Sequence, residues 1–295
     1  MIGRTIYIGN SSNLKVKDNQ LIILDSVSNE LKGTVPIEDI AILVLDHYQI
    51  TLTNQLILKL QSNKVVIVNC DAQHLPFGIM LPIYGHSEHS QRVKYQLEAT
   101  EPLKKQLWKQ TVIQKIQNQQ TLLQITNKDY NMDTYWQNVK TGDVTNCEGQ
   151  AANYYWKHLL DDFYRGRFGS EPNNLLNFGY SILRSMVARA LVSSGLLPVL
   201  GIHHKNKYNP YCLADDIMEP YRPYIDKLVC SYITLHGYEQ ELTKEVKAYL
   251  LTIATQDVYI DGVVRPLMVA VTTTTASLYK CYTGEMRQIM YPVLR

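Results

Sequence analysis

The pattern of apolar and polar positions divides this chain into two unlike halves. Over residues 1–84 the apolar stretches are short and strand-like. Thr5-Ile6-Tyr7-Ile8 reads as a short strand. Asn13 to Lys17 alternates polar and apolar side chains, Asp18-Asn19 supplies a turn, and Leu21 to Leu24 brings the chain back, which predicts a hairpin. Ile40 to Leu45 and Val65 to Val68 are continuous apolar runs suited to buried strands, and Asn54 to Leu60 between them has the length and composition of one short helix.

From Tyr84 to Ser90 the periodicity is lost, and residues 85–90 read as a linker. Beyond it the pattern turns almost entirely helical. Leu97 to Leu123 is rich in Gln, Lys and Leu, and Glu148 to Phe163 repeats apolar residues at helical spacing. Leu176, Gly179, Ile182, Leu183, Met186, Val187, Ala190 and Leu191 make a regular helical face that Gly195 and Pro198 end. The expected fold class is therefore α+β: a small β domain over 1–84, a linker, and a larger all-α domain over 91–295, each with its own core.

Composition changes this picture little but excludes several functions. The net charge of +2 rules out any argument for nucleic-acid binding from bulk charge, so such binding needs a local basic face. The five cysteines are odd in number and scattered, with no CxxC pair, which argues against both structural zinc and a disulfide framework. The opening MIGRTIYIGN has no charged-then-apolar leader, and no apolar run reaches the ~18 residues of a membrane span. The expected location is the cytoplasm, with no membrane partner.

Three clusters in the helical half bear on chemistry. Glu148 lies on the apolar face of its helix, where a carboxylate requires a cation or hydrogen bonds; an exposed acid favoured by the first-turn helix dipole fits the same spacing. His203 and His204 follow a turn and point in different directions, so at most one serves a given site; a solvated loop pair is the bland alternative. Asp215, Asp216 and Glu219 stand at i, i+3 and i+4 spacings on one helical face, where like charges repel unless a cation sits among them or water solvates them. Pro220 kinks or ends that helix at Glu219. Two carboxylates and an imidazole, with no soft sulfur donor, suit Mg2+ or Mn2+ and phosphoryl chemistry on DNA. Arg165, Arg167, Arg184, Arg189, Lys205 and Lys207 flank these acids, as phosphate-positioning groups or as ordinary solvated charges.

Four blocks then resemble one family. Glu148-Gly149-Gln150-Ala151-Ala152-Asn153-Tyr154-Tyr155 is similar to the EGxAAxxY stretch of the CRISPR-associated adaptation integrases (Cas-one). Asn173 to Tyr180, Gly201-Ile202-His203-His204 and Leu213 to Pro223 resemble that family's N-x-L-L-x-F-G-Y, G-x-x-H and L-A-x-D-x-M-E-x-x-R-P blocks, in the same order and spacing. Thr51-Leu52-Thr53 and Asn69-Cys70-Asp71 extend the likeness into the β half, and His203-His204 with the following tract looks most like the type II subset.

The resemblance implies an N-terminal β-sandwich that dimerises, a helical catalytic domain, and a metal ligated by Glu148, His204 and Glu219, with Asp216 a candidate additional acid. It implies a homodimer acting on double-stranded and branched DNA with a small CRISPR-associated partner protein, joined in the type II subset by further adaptation proteins. The implied reaction is attack of a 3′-hydroxyl of short foreign DNA on a repeat phosphodiester. The same residues also suit a metal nuclease that hydrolyses without joining, and a non-catalytic DNA-binding scaffold remains a third reading.

Overall fold

The structure, a computed structural model, describes residues 3–83, 85–126, 130–161, 163–166, 171–238 and 241–295. The chain opens with β1 (Arg4–Ile8), the hairpin β2 (Ser12–Lys17) and β3 (Gln20–Asp25), and β4 (Leu31–Pro36). It continues through β5 (Ile40–Leu45), β6 (Ile50–Leu52), helix α1 (Asn54–Ser62), β7 (Val66–Cys70) and β8 (Pro76–Met80). These strands form two four-stranded sheets, ordered β1-β5-β7-β8 and β4-β3-β2-β6. The hairpin turn has Asp18 and Asn19 at φ of 51° and 59°, the left-handed pair that a two-residue hairpin turn requires.

The continuous apolar runs have a physical cause. β5 lies between β1 and β7, parallel to both, and is buried on both faces, so it has no polar alternation to show. Leu43, Leu45 and Ile67 join a core with the second sheet and with Leu56 and Leu60 of α1. Ile42, Val44, Val66 and Val68 instead belong to the core of the helical half. The expectation of one separate core per half is thereby corrected: the first sheet is a layer shared by both.

The helical half runs α2 (His89–Glu98), α3 (Glu101–Ile125), α4 (Asp133–Gln137), α5 (Cys147–Leu159), α6 (Asn173–Ser193), α7 (Cys212–Met218), α8 (Arg222–His236), α9 (Lys244–Leu251) and α10 (Leu267–Thr283). A short hairpin, β9 (Asp257–Ile260) and β10 (Val263–Pro266), interrupts it, so this half is helical but not all-α as expected. The segment read as a linker already enters α2 at His89, and its Gly85 is buried. The helical stretch from Leu97 to Leu123 is broken at Thr100, whose side chain caps α3 by accepting the Leu103 N–H, with Pro102 in the first turn. α6 is buried nearly all round, packing against β7, β8, α8 and α10, so it is the central helix rather than an amphipathic surface one.

Between the halves lies a buried ion pair. Asp46, just past β5, accepts a hydrogen bond from Lys247 Nζ of α9 at 2.6 Å, and both side chains are almost fully buried. Tyr7 Oη donates to the same carboxylate at 2.5 Å, and His74 Nδ1 lies 2.8 Å from its other oxygen.

Candidate active site

α3 presents Trp108 and Lys115 inward, seven residues and thus two turns apart on one helix face. Asn118, one turn further, is fully buried and donates to the carbonyls of Pro220 (2.7 Å) and Pro292 (3.0 Å). That contact anchors the break between α7 and α8. Pro220 cannot continue the helical ladder, so residues Glu219–Tyr221 form a single tighter turn before Arg222 starts α8. Glu219 therefore stands at an element boundary with its side chain buried.

Glu148 is fixed from the other side, in the first turn of α5. Asp143 accepts the N–H groups of Cys147 (2.8 Å) and Glu148 (3.0 Å), and the Asn146 side chain accepts that of Gly149 (3.3 Å). These acceptors satisfy the free amides of the helix start and fix its direction.

The two glutamates meet on one cation. Lys115 Nζ lies 2.5 Å from Glu148 Oε1 and 2.6 Å from Glu219 Oε2, while Arg222 Nε lies 2.9 Å from Glu219 Oε1. Burial opposes the charge on Lys115, but the Glu219 and Glu148 carboxylates outweigh it and hold its pKa above the ordinary value. Burial likewise opposes ionisation of Glu219, and Arg222 and Lys115 reverse the sign, holding it below the usual carboxylate range. The 2.6 Å contact is an ion pair rather than an aligned hydrogen bond: Glu219 Oε2 is buried and has no well-directed donor among the described residues.

His204 stands beside this pair on a tight loop built around Asp216. The Asp216 carboxylate is fully buried; its Oδ2 accepts the N–H groups of Ile202 (2.7 Å) and His203 (3.0 Å), and its Oδ1 that of His204 (3.2 Å). The same Oδ1 lies 2.6 Å from His204 Nδ1, and this bond, more than the opposing burial, raises the His204 pKa. Only glycine fits at Gly201, where a Cβ would fall 2.4 Å from the His204 carbonyl oxygen and 2.9 Å from Asp216 Oδ2. His203 leaves the loop in another direction: the residue is exposed, and its ring stacks on Trp108 at 4.1 Å with 3° between planes.

The residues suit a divalent ion in donor type. Glu219 supplies a buried oxygen short of aligned donors, Glu148 faces the same cation, and a carboxylate-held His204 Nδ1 leaves Nε2 as the ring's remaining donor, the arrangement usual for metal-ligating histidines. As they stand, no three His, Cys, Asp or Glu among the described residues are arranged as a ready cluster, and the Lys115 ammonium is the cation that the two glutamates share.

The acids that the spacing grouped together are separated by the fold. Asp215 pairs with Arg184 (2.6 Å) and accepts from Asn209 (2.7 Å), Asp216 organises the histidine loop, and only Glu219 faces the centre. Asp216 thus spends its oxygens on the loop. The basic residues divide as well. Arg165 donates to Asn173 (2.7 Å) and Asn177 (2.8 Å), and Arg189 donates to the Lys64 carbonyl (2.7 Å). Lys205 and Lys207 are exposed and, with Lys104 and His204, line a cleft of about 320 Å3 beside the centre. Arg167 lies outside the described residues.

Lys115, Asp143 and Trp108 were not singled out from the sequence. One signal was there: along α3, Trp108, Val112, Lys115, Ile116 and Leu123 follow apolar-face spacing, and a lysine on that face needs an acid.

The likeness to known proteins extends over most of the chain. The family model described as CRISPR associated protein Cas1 matches residues 6–263. The CRISPR-associated endonuclease Cas1 of Neisseria meningitidis serogroup C (strain 8013) is 36% identical over 259 residues, covering 85% of this chain and 83% of that one. Among solved structures, a casposase bound to integration product has a TM-score of 0.81 at 20% identity, covering 97% of this chain and 92% of that one. A Cas1 protein from Thermotoga maritima has a TM-score of 0.79 at 18% identity, covering 95% and 97%. With the family pattern matched across most of its length and this identity to a relative, the chain belongs to the CRISPR associated protein Cas1 family.

Proposed function

We propose that this chain is a divalent-metal-dependent DNA integrase and nuclease of CRISPR adaptation, which inserts short foreign DNA into a repeat array. The observation that carries the reading is that Glu148 and Glu219 converge on one cation beside an imidazole already held by a carboxylate. The Neisseria relative, named an endonuclease, supports phosphodiester chemistry. The casposase of like fold, bound to an integration product, supports joining.

In this reading Glu148, His204 and Glu219 hold Mg2+ or Mn2+, ions that accept oxygen and imidazole donors. When bound, such an ion supplies polarisation of the phosphodiester and stabilisation of the leaving oxygen. The chain's own groups do the rest. Asp216 keeps the His204 ring in one orientation and one tautomer. Lys104, Lys205 and Lys207 draw backbone phosphates into the cleft. The DNA 3′-hydroxyl forms a new P–O bond as the repeat's P–O bond breaks, so the number of phosphodiesters is conserved and no energy-rich co-reactant is required.

The proposed working form is a cytoplasmic homodimer paired through the β domains, with 1–84 and 91–295 as its units and the type II subset as its setting. A small CRISPR-associated partner protein completes it; a complex of like fold described as Cas6-RT-Cas1–Cas2, with a TM-score of 0.76 at 20% identity, supports such a partner. Among the described residues no helix is long and apolar enough to cross a membrane. The name endonuclease also favours a second outcome of the same site, hydrolysis with water as nucleophile. Labelled DNA ends incubated with a repeat-bearing duplex and Mg2+ or Mn2+ separate the two: covalent transfer of label is expected, and cleavage alone would reduce the reading to a nuclease.

A further inference from the structure

We infer that His203, backed by Trp108, is a stacking shelf for a nucleobase of the DNA bound at the active centre. The inference rests on the DNA-joining reading above and adds a binding subsite to it.

The geometry is that of a built surface. Trp108 is a buried indole, 1% exposed, and the His203 ring lies parallel on it at 4.1 Å and 3°, while His203 as a residue is exposed. One face of the imidazole is therefore covered by Trp108, on a residue that is exposed as a whole. The shelf is held from beneath as well, because the His203 N–H donates to the buried Asp216 carboxylate at 3.0 Å. Its ring stands 5.3 Å from that of His204, at 85° to it, so a group stacked on His203 is one ring away from the reacting centre.

Charge selects the part of DNA that fits. The phosphate-attracting groups, Lys205 and Lys207, lie in the cleft on which His204 opens. A flat uncharged nucleobase suits a flat ring in this position, and only a terminal or splayed base of branched DNA offers an open face. Base–aromatic stacking of this kind tolerates any sequence, as an enzyme that accepts many foreign DNAs requires.

The test is a binding cycle on the full chain with branched DNA, combining His203 variants with abasic analogues introduced one nucleotide at a time near the branch. At one position the abasic analogue should weaken wild-type binding roughly 5- to 100-fold. His203→Ala should weaken binding of intact DNA by a similar factor and lose nothing more at that position. His203→Phe, which restores a stacking face, should recover affinity. His203→Leu covers Trp108 without a π face and should not, at equal melting temperature. The proposal is overturned if the two losses are additive at every position, or if Leu serves as well as Phe. Should His203→Ala fail to fold, the Phe–Leu comparison decides alone. If the wild type neither binds nor joins branched DNA, the functional reading fails first and takes the shelf with it; normal joining with unchanged His203 variants sinks the shelf only.

Discussion

Asp216 Oδ1 lies 2.6 Å from His204 Nδ1, and the same carboxylate accepts the backbone N–H groups of Ile202, His203 and His204. One buried side chain therefore sets both the path of the loop and the direction of the imidazole. Asp216→Asn keeps the shape but removes the charge and half the acceptor capacity. It should lower manganese affinity and strand joining by about 10- to 100-fold while sparing DNA binding. Calorimetric metal titration beside a joining assay checks this; full activity in the Asn variant would mean that His204 needs no orienting partner.

The neighbouring histidines should separate cleanly. His204→Ala, Glu148→Ala and Glu219→Ala are expected to abolish joining in Mg2+ or Mn2+ and to weaken manganese binding. His203→Ala should retain measurable joining, because its ring lies on Trp108 rather than on Asp216. A dead His203→Ala together with an active His204→Ala would shift the ligand assignment by one residue.

Lys115 gives a prediction that needs no substrate. Its ammonium balances two carboxylates at 2.5 and 2.6 Å, with Lys115 and Glu219 nearly buried. Lys115→Met leaves those charges uncompensated, which should destabilise the metal-free protein by about 3–5 kcal/mol. The same change removes a cation that competes for both glutamates, so Mn2+ should bind the variant more tightly and restore much of its melting temperature. A variant as stable as wild type without metal would show that the ion pair contributes nothing net.

How much of this was legible beforehand depended on whether a residue's partner lies nearby in sequence. Ile40–Leu45 and Val65–Val68 declared themselves as buried strands because burial on both faces removes polar alternation, and Pro220 marked a break that is present. β6 and β8 gave no comparable signal: Ile50–Leu52 is only three residues long, and Pro76–Met80 is a sheet edge with no buried residue and a proline. The site divides the same way. Glu148, His204 and Glu219 stood in recognisable blocks, whereas Lys115 meets Glu148 from 33 residues away, and its place on the apolar face of α3 calls for an acid without saying which one. Local spacing also grouped Asp215, Asp216 and Glu219, since helical pitch alone does not reveal which cation or loop each acid will meet.

Salt should discriminate among the basic residues. Lys205, in a surface pair with the exposed Glu101 at 3.2 Å, and Lys207 are exposed in the cleft, whereas Arg165, Arg184 and Arg189 are committed to Asn173, Asp215 and the Lys64 carbonyl. Removing Lys205 and Lys207 together is expected to flatten the dependence of log affinity on log salt by nearly one unit per charge. Arg189→Ala should instead lower stability with the slope unchanged. Equal slopes for all variants would return the lysines to ordinary solvated surface.

The junction of the two halves should show itself on the acid side of the stability profile. Asp46 is buried, which by itself would raise its pKa, but hydrogen bonds from Lys247, Tyr7 and His74 outweigh burial and hold it below the usual carboxylate range. Its folded pKa is thus lower than its unfolded value of about 3.9, so the pair's contribution is fully present above pH ~4 and is lost as pH falls through the lowered value. Lys247→Met leaves the carboxylate buried and unpaired, which should cost about 3–5 kcal/mol at pH 7. That deficit should begin to shrink above pH ~4, where the unpaired buried carboxylate of the variant takes up a proton, and shrink further below ~4 as the wild type loses its pair. Replacing both partners by apolar side chains should recover much of the loss, because a buried pair and a well-packed apolar substitute are often nearly equivalent. Denaturant unfolding at several pH values, followed by a probe in each half, also tests the shared core: the two probes should report one transition in the wild type, since Ile42, Val44, Val66 and Val68 pack with the helices. A Lys247→Met deficit that stayed constant down to pH 2 would assign the stabilisation to packing of the lysine stem rather than to the charge on Asp46.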